Sequence, residues 1–339
     1  MSADPSTEGP GPHLISVVVP VYAGERTLPG LVAELLPLTA GFGTTDGHDA
    51  RVFEIILVHD HGPDGSAQVI RKLAATHDVV RPVWLSRNYG QHAATLAGMA
   101  SSGGDWIVTI DEDGQHDPAD IPRMLDRAME QQAGVTYARP VNGRQHGVLR
   151  NLASTASKRL VDLLVPGGNA SDYHSYRLML GEVGRGVAAY AGAGVYLDVA
   201  LGWVAGRAVT CPVTLRPEGT RPSGYRLRSL LSHFWRLVLT SGTRLLRVVA
   251  ATGVLFALLG LVFAVFLVGN KLFGGDIQSG WTSVMVVVLV CTGGILLALG
   301  IVAEYLGVAV NMAMGKPLYL ISSDPDEGPL GRPPAREAE

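Results

Sequence analysis

Residues Trp106–Pro118 read WIVTIDEDGQHDP. The run Trp106–Ile110 is apolar and β-branched, the composition of a buried strand. It stops at three acids, Asp111, Glu112 and Asp113. In an open α/β sheet, ligands bind outside the carboxyl ends of the strands. Alternate side chains of an extended segment share a face, so Asp111 and Asp113 are expected together, with Glu112 turned away. Two carboxylates on one side, with the amide oxygen of Gln115 nearby, suit Mg²⁺ or Mn²⁺ holding a diphosphate. An acidic turn that only closes a strand would carry the same letters, because Asp-x-Asp is short and common. The surrounding chain has to decide between the two.

Upstream the same pattern repeats. Leu14–Pro20 (LISVVVP) predicts a buried first strand, and Leu28–Leu38 a helix after a polar turn. Val52–His59 predicts a second strand, ending in His59-Asp60-His61-Gly62-Pro63-Asp64-Gly65-Ser66, before a helix capped by Ser66 or Asp64. Val80–Leu85 is a third strand, Tyr89–Ala100 a helix and Pro118–Gln131 another, followed by a strand at Val135–Ala138. Strands alternating with helices predict βαβ units, hence an α/β fold with a mostly parallel sheet. Further on, Arg144–Val165 reads as an amphipathic helix, and Ser175–Leu180 and Ala208–Leu215 as strands.

The 339 residues are 47% hydrophobic, with a mean hydropathy of +0.24. The apolar excess sits after about residue 247. Arginines interleaved with Leu, Phe and Trp at 223–247 predict an interfacial helix. Val248–Val268 and Trp281–Ala303 are uncharged runs of the roughly twenty residues a bilayer core needs. The arginine-rich flank before the first run places both termini in the cytoplasm and the connector Asn270–Gly280 outside. The expectation is therefore a multi-pass protein of the cell (inner or plasma) membrane, its α/β domain on the cytoplasmic side. The first twelve residues read as a disordered tail without the regions of a signal peptide, and the segment after Ser322 as disordered too. A net charge of −3 gives no argument for nucleic acid, and two cysteines, Cys211 and Cys291, make neither a disulfide framework nor a zinc site.

Several stretches together resemble one family. SVVVPVYAGERTL (Ser16–Leu28) is similar to the VVVPVYNEEENL opening of the family-2 (GT-A fold) glycosyltransferases, and EIILVHDHGPDGS (Glu54–Ser66) to their EIILVDDGSTDGS. LSRNYGQHAATLA (Leu85–Ala97), followed by the acidic stretch, resembles LSRNFGKEAAxxAG…DADLQDPP of the polyprenyl-phosphate glycosyltransferases, the branch like dolichol-phosphate-mannose synthase and bactoprenol glucosyltransferase. DYHSYRLM (Asp172–Met179) resembles DxGDFRLM, and Arg216–Tyr225 resembles RxxGxSxY with two residues inserted. The endings Glu304-Tyr305-Leu306-Gly307 and Gly315-Lys316-Pro317-Leu318-Tyr319 match that branch as well.

The resemblance implies a GT-A catalytic domain over 13–222, the interfacial helix, two transmembrane helices at 248–268 and 281–303, and a cytoplasmic tail from 304. It implies a hexosyltransferase moving one sugar from a nucleotide-sugar donor, UDP-linked by family preference, to polyprenyl phosphate for cell-envelope glycan modification. Homo-oligomers are usual in the family. Pro20, Tyr22, Glu25, Asp60, Arg87, Asp111 and Glu112 are the expected nucleotide-sugar residues. Asp111, Asp113 and Gln115 would hold the metal, and Arg139, Arg150, Arg177 and Arg216 the acceptor phosphate, since arginine forks suit a dianion.

Four departures stand out. His59 occupies an Asp position, Glu112 a small-residue position and Gly114 a Leu position. Ser175 stands where the pattern has Asp, and is expected at the catalytic centre with Asp111 and Asp113. A phosphate monoester has a second pKa near 6, so its dianion can attack without a side-chain base. These departures keep an inactive, ligand-binding scaffold open as an alternative. A glycan-extending enzyme of the same fold ranks lower, because no QxxRW-like motif follows the acids.

Overall fold

The computed structural model describes residues 11–142, 174–192, 196–216, 244–272, 280–315 and 317–328. Among these, nine strands form one sheet: β1 (His13–Val21), β2 (Phe42–Gly43), β3 (Asp49–His59), β4 (Val80–Leu85), β5 (Trp106–Thr109), β6 (Val135–Pro140), β7 (Arg177–Leu180), β8 (Ala208–Val213) and β9 (Ile321–Ser322). Their order is β8-β6-β7-β5-β1-β3-β4-β9, with β2 beside β3. β1 pairs parallel with β3 and β5, β3 with β4, and β6 with β8. β7 runs antiparallel between β5 and β6. The sheet is mixed and mostly parallel, as the strand–helix alternation predicts.

Both faces are covered, which is why the strands read as unbroken apolar runs. Val17, Val19, Ile55 and Leu57 pack into one core with α1 (Leu28–Leu35), α2 (Ser66–Thr76) and α4 (Ile121–Gln131). Val18, Ile56 and Val58 pack into a second with α3 (Gln91–Ala100) and the helices Gly181–Tyr190 and Leu197–Val204. Gly98 lets α3 sit directly on the sheet, since a Cβ there would lie 2.3 Å from Val18 Cγ1. The chain runs outward through β3 and β4, then crosses to β5 on the other side of β1. That reversal leaves a crevice beyond the carboxyl ends of β1 and β5, where α/β proteins bind ligands.

Several boundaries differ from expectation. β5 ends at Thr109, α3 starts at Gln91 after Gly90 takes φ +90°, and a short 3₁₀ turn at Pro118–Asp120 precedes α4. The helices Gly181–Tyr190 and Leu197–Val204 carry no strong sequence signal. The first contains three glycines, and Gly184 is there for contact: a Cβ would stand 2.6 Å from Ile107 Cδ1.

The segment after Ser322 does not follow the disordered reading where it is described. Directly after β9, which pairs with β4, Asp324 accepts from Arg71 Nε (2.7 Å) and Nη2 (2.6 Å), and Asp326 pairs with Arg71 at 2.5 Å. Composition alone hid this, because the acids are matched by an arginine on α2. Two long helices, Arg244–Leu272 and Trp281–Ala313, cover both expected spans. Among the described residues one stretch, Val290–Val310, is long and apolar enough to cross a membrane; Val249–Phe263 is a shorter apolar run. The proposed helix at 144–165, nearly all of the interfacial helix at 223–247, most of the connector and most of the N-terminal tail lie outside the described residues.

Candidate active site

The acids sit at the crevice. In the antiparallel β5–β7 pair, Thr109 faces Arg177. Two residues after Thr109 and two before Arg177, Asp111 therefore meets Ser175. Ser175 Oγ donates to Asp111 Oδ2 at 2.5 Å, and Gln91 Nε2, on the first residue of α3, donates to Oδ1 at 2.6 Å. Thr109 Oγ1 donates to the Ser175 carbonyl at 2.5 Å and fixes that corner. The Asp111 amide donates to His116 Nδ1 at 3.3 Å, so this nitrogen is the unprotonated one. His116 stacks on Tyr176, with centroids 4.9 Å apart. Burial pushes the His116 pKa below the usual histidine value against the pull of Asp111 and Asp113. Burial also lowers His174, helped by His116.

Glu112 lines the cavity and also braces the backbone. Its carboxylate accepts the amides of Tyr22 and Ala23, each at 2.9 Å, and ties the acidic loop to the turn after β1. That turn is clamped from its other side: Gly24 N donates to Ser66 Oγ (2.9 Å), Glu25 N to Asp64 (3.1 Å) and Gly65 N to Glu25 (3.1 Å). Gly62 is obligatory for the close approach, since a Cβ would fall 1.5 Å from the Tyr22 carbonyl oxygen. Asp60 accepts the amides of Tyr89 (2.7 Å) and Gly90 (2.8 Å) and so holds the loop that delivers Gln91. Burial raises the Asp60 pKa, and these two bonds oppose the rise.

Between these loops lies a cavity of about 410 Å³ lined by Pro20, Val21, Tyr22, Asp60, Asn88, Gly90, Gln91, Ala94, Asp111, Glu112 and Asp113. That is the size of a small-molecule site. Six of the expected residues meet there: Pro20, Tyr22, Asp60, Asp111, Glu112 and Asp113. Others do not line it. Glu25 bonds Gly65, and Arg87 is exposed with its guanidinium 4.7 Å from the Tyr89 ring centre. Gln115 uses its backbone, donating to Asp113 Oδ1 at 3.0 Å and accepting the Arg216 amide at 2.9 Å. Gln91 is the residue to which sequence reasoning gave no role; the expected helix began at Tyr89, so nothing marked Gln91 as its first residue.

The arginines separate. Arg177 is buried; its guanidinium pairs with Asp198 and its Nε donates to Thr109 Oγ1 at 3.1 Å. Arg216 is partly exposed but bridges Glu34 (2.8 Å) and Asp117 (3.0 Å). Arg139 is exposed on β6, and among the described residues no carboxylate pairs with it. Arg150 lies outside the described residues. Among the described residues no three His, Cys, Asp or Glu converge to hold an ion. His59 is buried against Trp84 with both ring nitrogens unpartnered, and His61 Nδ1 lies 2.9 Å from the Leu85 carbonyl. Burial lowers the His59 pKa, with His61 adding to the effect.

The sequence model of the family Glycosyl transferase family 2 matches residues 16–182. The undecaprenyl-phosphate 4-deoxy-4-formamido-L-arabinose transferase of Pseudomonas paraeruginosa is 32% identical over 330 residues, covering 95% of this chain and 93% of the relative. The enzyme of the same name from Klebsiella pneumoniae is 30% identical over 319 residues, covering 91% and 92%. Among solved structures, mannosyl-3-phosphoglycerate synthase from Rubrobacter xylanophilus superposes with a TM-score of 0.46 at 17% identity, over 69% of this chain and 74% of that one. On near full-length similarity to these transferases, the chain belongs to glycosyl transferase family 2.

Proposed function

We propose that this protein transfers one sugar from a UDP-linked donor to a polyprenyl phosphate, undecaprenyl phosphate being the acceptor in the names of its relatives. The observation that carries the reading is the cavity at the sheet's switch point, lined by Asp111 and Asp113 together with Pro20, Tyr22 and Asp60. Each Asp60 oxygen keeps a lone pair beyond its backbone bond, so the carboxylate can still accept from a uracil edge. Pro20 and Tyr22 supply the apolar wall for the base.

Asp111 and Asp113 fit a divalent cation, Mg²⁺ or Mn²⁺. Both are carboxylates on one cavity, Asp113 is exposed, and Asp111 accepts from the neutral side chains of Gln91 and Ser175. A hard cation held by one or two carboxylates completes its shell with water and substrate phosphate. When bound, such an ion takes up charge on the departing nucleoside diphosphate.

The acceptor needs no base from the protein. With a second pKa near 6, a phosphate monoester is largely dianionic at neutral pH. One of its oxygens attacks the anomeric carbon, the bond from that carbon to the diphosphate breaks, and UDP leaves with the bonding electrons. The configuration inverts. Arg139 and Arg150 are the proposed phosphate ligands; Arg216 is paired with Glu34 and Asp117.

The lipid tail requires a bilayer. We assign two spans, 248–268 and 281–303, to a cell membrane with both termini cytoplasmic, on the arginine asymmetry. A homo-oligomer follows from the family resemblance. The test is a screen of UDP- and GDP-sugars with undecaprenyl phosphate and the full chain in detergent, reading nucleotide release. Release dependent on both acceptor and a UDP-sugar is expected; release only with GDP-sugars, or without acceptor, would reject the assignment.

A further inference from the structure

The chain that leaves the last long helix returns to the sheet at its ligand end. β9 pairs antiparallel with β4, Ser322 opposite Trp84 and Ile321 opposite Leu85. The start of β9 therefore lies at the carboxyl end of β4, the end at which the crevice opens. Leu320 sits seven residues beyond Ala313, the last residue of the helix, a reach of at most about 25 Å. Its carbonyl accepts the Ser86 amide at 2.9 Å. Leu318 and Tyr319, just before it, pack against the core that holds α3, as does Tyr89. Beyond β9, Asp324 and Asp326 close on Arg71, whose guanidinium lies 5.0 Å from the centre of the Trp84 ring.

Ser86 opens the loop that leads to the cavity. Its Oγ lies 2.9 Å from the Tyr89 hydroxyl, and the Tyr89 and Gly90 amides donate to Asp60. Asn88, Gly90 and Gln91 line the cavity, whereas no residue of 317–326 does. The loop is thus held at its first residue by the returning chain and at its last two by Asp60. Arg87 and Asn88, between these anchors, are exposed. Released at one end, the loop would regain backbone freedom that a bound ligand must then remove. We propose that Pro317–Asp326 is a positioning strap: docked on the edge of β4, it holds Ser86–Gly90 in the form that receives the donor. Donor affinity then depends on a segment outside the cavity that continues directly from the helix Trp281–Ala313. This deepens the transfer reading above and rests on it for the identity of the ligand.

The test undocks the strap in the full chain in detergent. Ser86 and Leu320 share a backbone bond, so the next bonded position along this antiparallel pair is Trp84 with Ser322. Ser322→Pro removes the amide needed there. Amide hydrogen exchange is read first, because it needs no ligand. Exchange at Tyr89 and Gly90 should accelerate about tenfold or more, while Tyr22 and Ala23, held by Glu112 on another loop of the cavity, stay at wild-type rates. Donor KM, measured with the UDP-sugar that the wild type turns over, should rise about tenfold, the scale of one lost hydrogen bond, with kcat within about threefold. Arg207→Ala, which frees Gln131 beside the opposite edge strand β8, is the control: it should lower Tm without moving the loop exchange or the donor KM. Wild-type exchange at Tyr89 and Gly90 in Ser322→Pro, an equal acceleration at Tyr22 and Ala23, or an unchanged donor KM would overturn the proposal. If Ser322→Pro fails to fold, Arg71→Gln loosens the same strap through Asp324 and Asp326. The same local acceleration then supports the proposal, and its absence overturns it. Local acceleration in a protein that transfers no sugar from any donor would reject the transfer reading while upholding the strap's hold on the loop.

Discussion

Replacing Glu112 tests whether the middle acid of the loop serves the ligand or the scaffold. Its two oxygens accept the Tyr22 and Ala23 amides at 2.9 Å each. A net hydrogen bond to a charged group is worth about 1.5–3 kcal/mol. Glu112 is only half-buried, and water can replace part of that interaction, so Glu112→Ala should cost about 2 kcal/mol in total. For a domain of this size that lowers Tm by about 4–8 °C. Glu112→Gln keeps one acceptor oxygen and turns an amide group toward the other backbone N–H, so it should lose about half as much. The freed turn forms the cavity wall at Tyr22, so KM for the donor should rise several-fold. kcat should change less, because Asp111 is held by Gln91 and Ser175 independently of Glu112. The assays are thermal melting and steady-state kinetics on the same preparations. A Glu112→Ala variant with wild-type Tm and no UDP binding would refute the reasoning and place the acid on the ligand.

Further outcomes are expected elsewhere. Asp113→Asn should remove most turnover with little change in Tm, since the side chain is exposed and accepts from the nearby Gln115 amide, a local bond, and excess EDTA should do the same to the wild type; full activity in EDTA would count against a metal role. Arg71 holds the Asp324 carboxyl below the usual range. Its contribution is therefore complete above the ordinary Asp pKa of about 3.9 and is lost as pH falls through the lowered value. Asp324→Asn should lower stability by about 1 kcal/mol at pH 7, and acid titration should close the gap with wild type. In a Cys291→Ser background, a cysteine at Ser279 should label from outside intact cells and one at Glu327 should not; the reverse pattern would contradict the cytoplasmic-donor arrangement.

The central strands were legible because burial on both faces leaves unbroken Val/Ile/Leu runs at 14–20, 52–59 and 106–110. The acids stood out because they end such a run. Their individual roles were harder to read. Alternation along a strand assigns Glu112 to the far side, but β5 ends at Thr109 and a turn carries Glu112 to the Tyr22 amide. The meeting of Ser175 with Asp111 depends on the β5–β7 register, which no local pattern in either strand specifies. Arg177 reads as a free cation until Asp198 arrives from a helix with little sequence signature. Residues 323–328 read as solvated because polar composition does not reveal that Arg71 waits on α2.

The most direct measurement is transfer of radiolabelled sugar from a UDP-sugar into a chloroform-extractable, mild-acid-labile product, with full-length protein and undecaprenyl phosphate. A labelled lipid formed by the wild type, dependent on added Mg²⁺ or Mn²⁺ and nearly absent with Asp113→Asn, is the predicted result. A folded wild-type protein that binds UDP yet forms no labelled lipid with any UDP- or GDP-sugar would contradict the account.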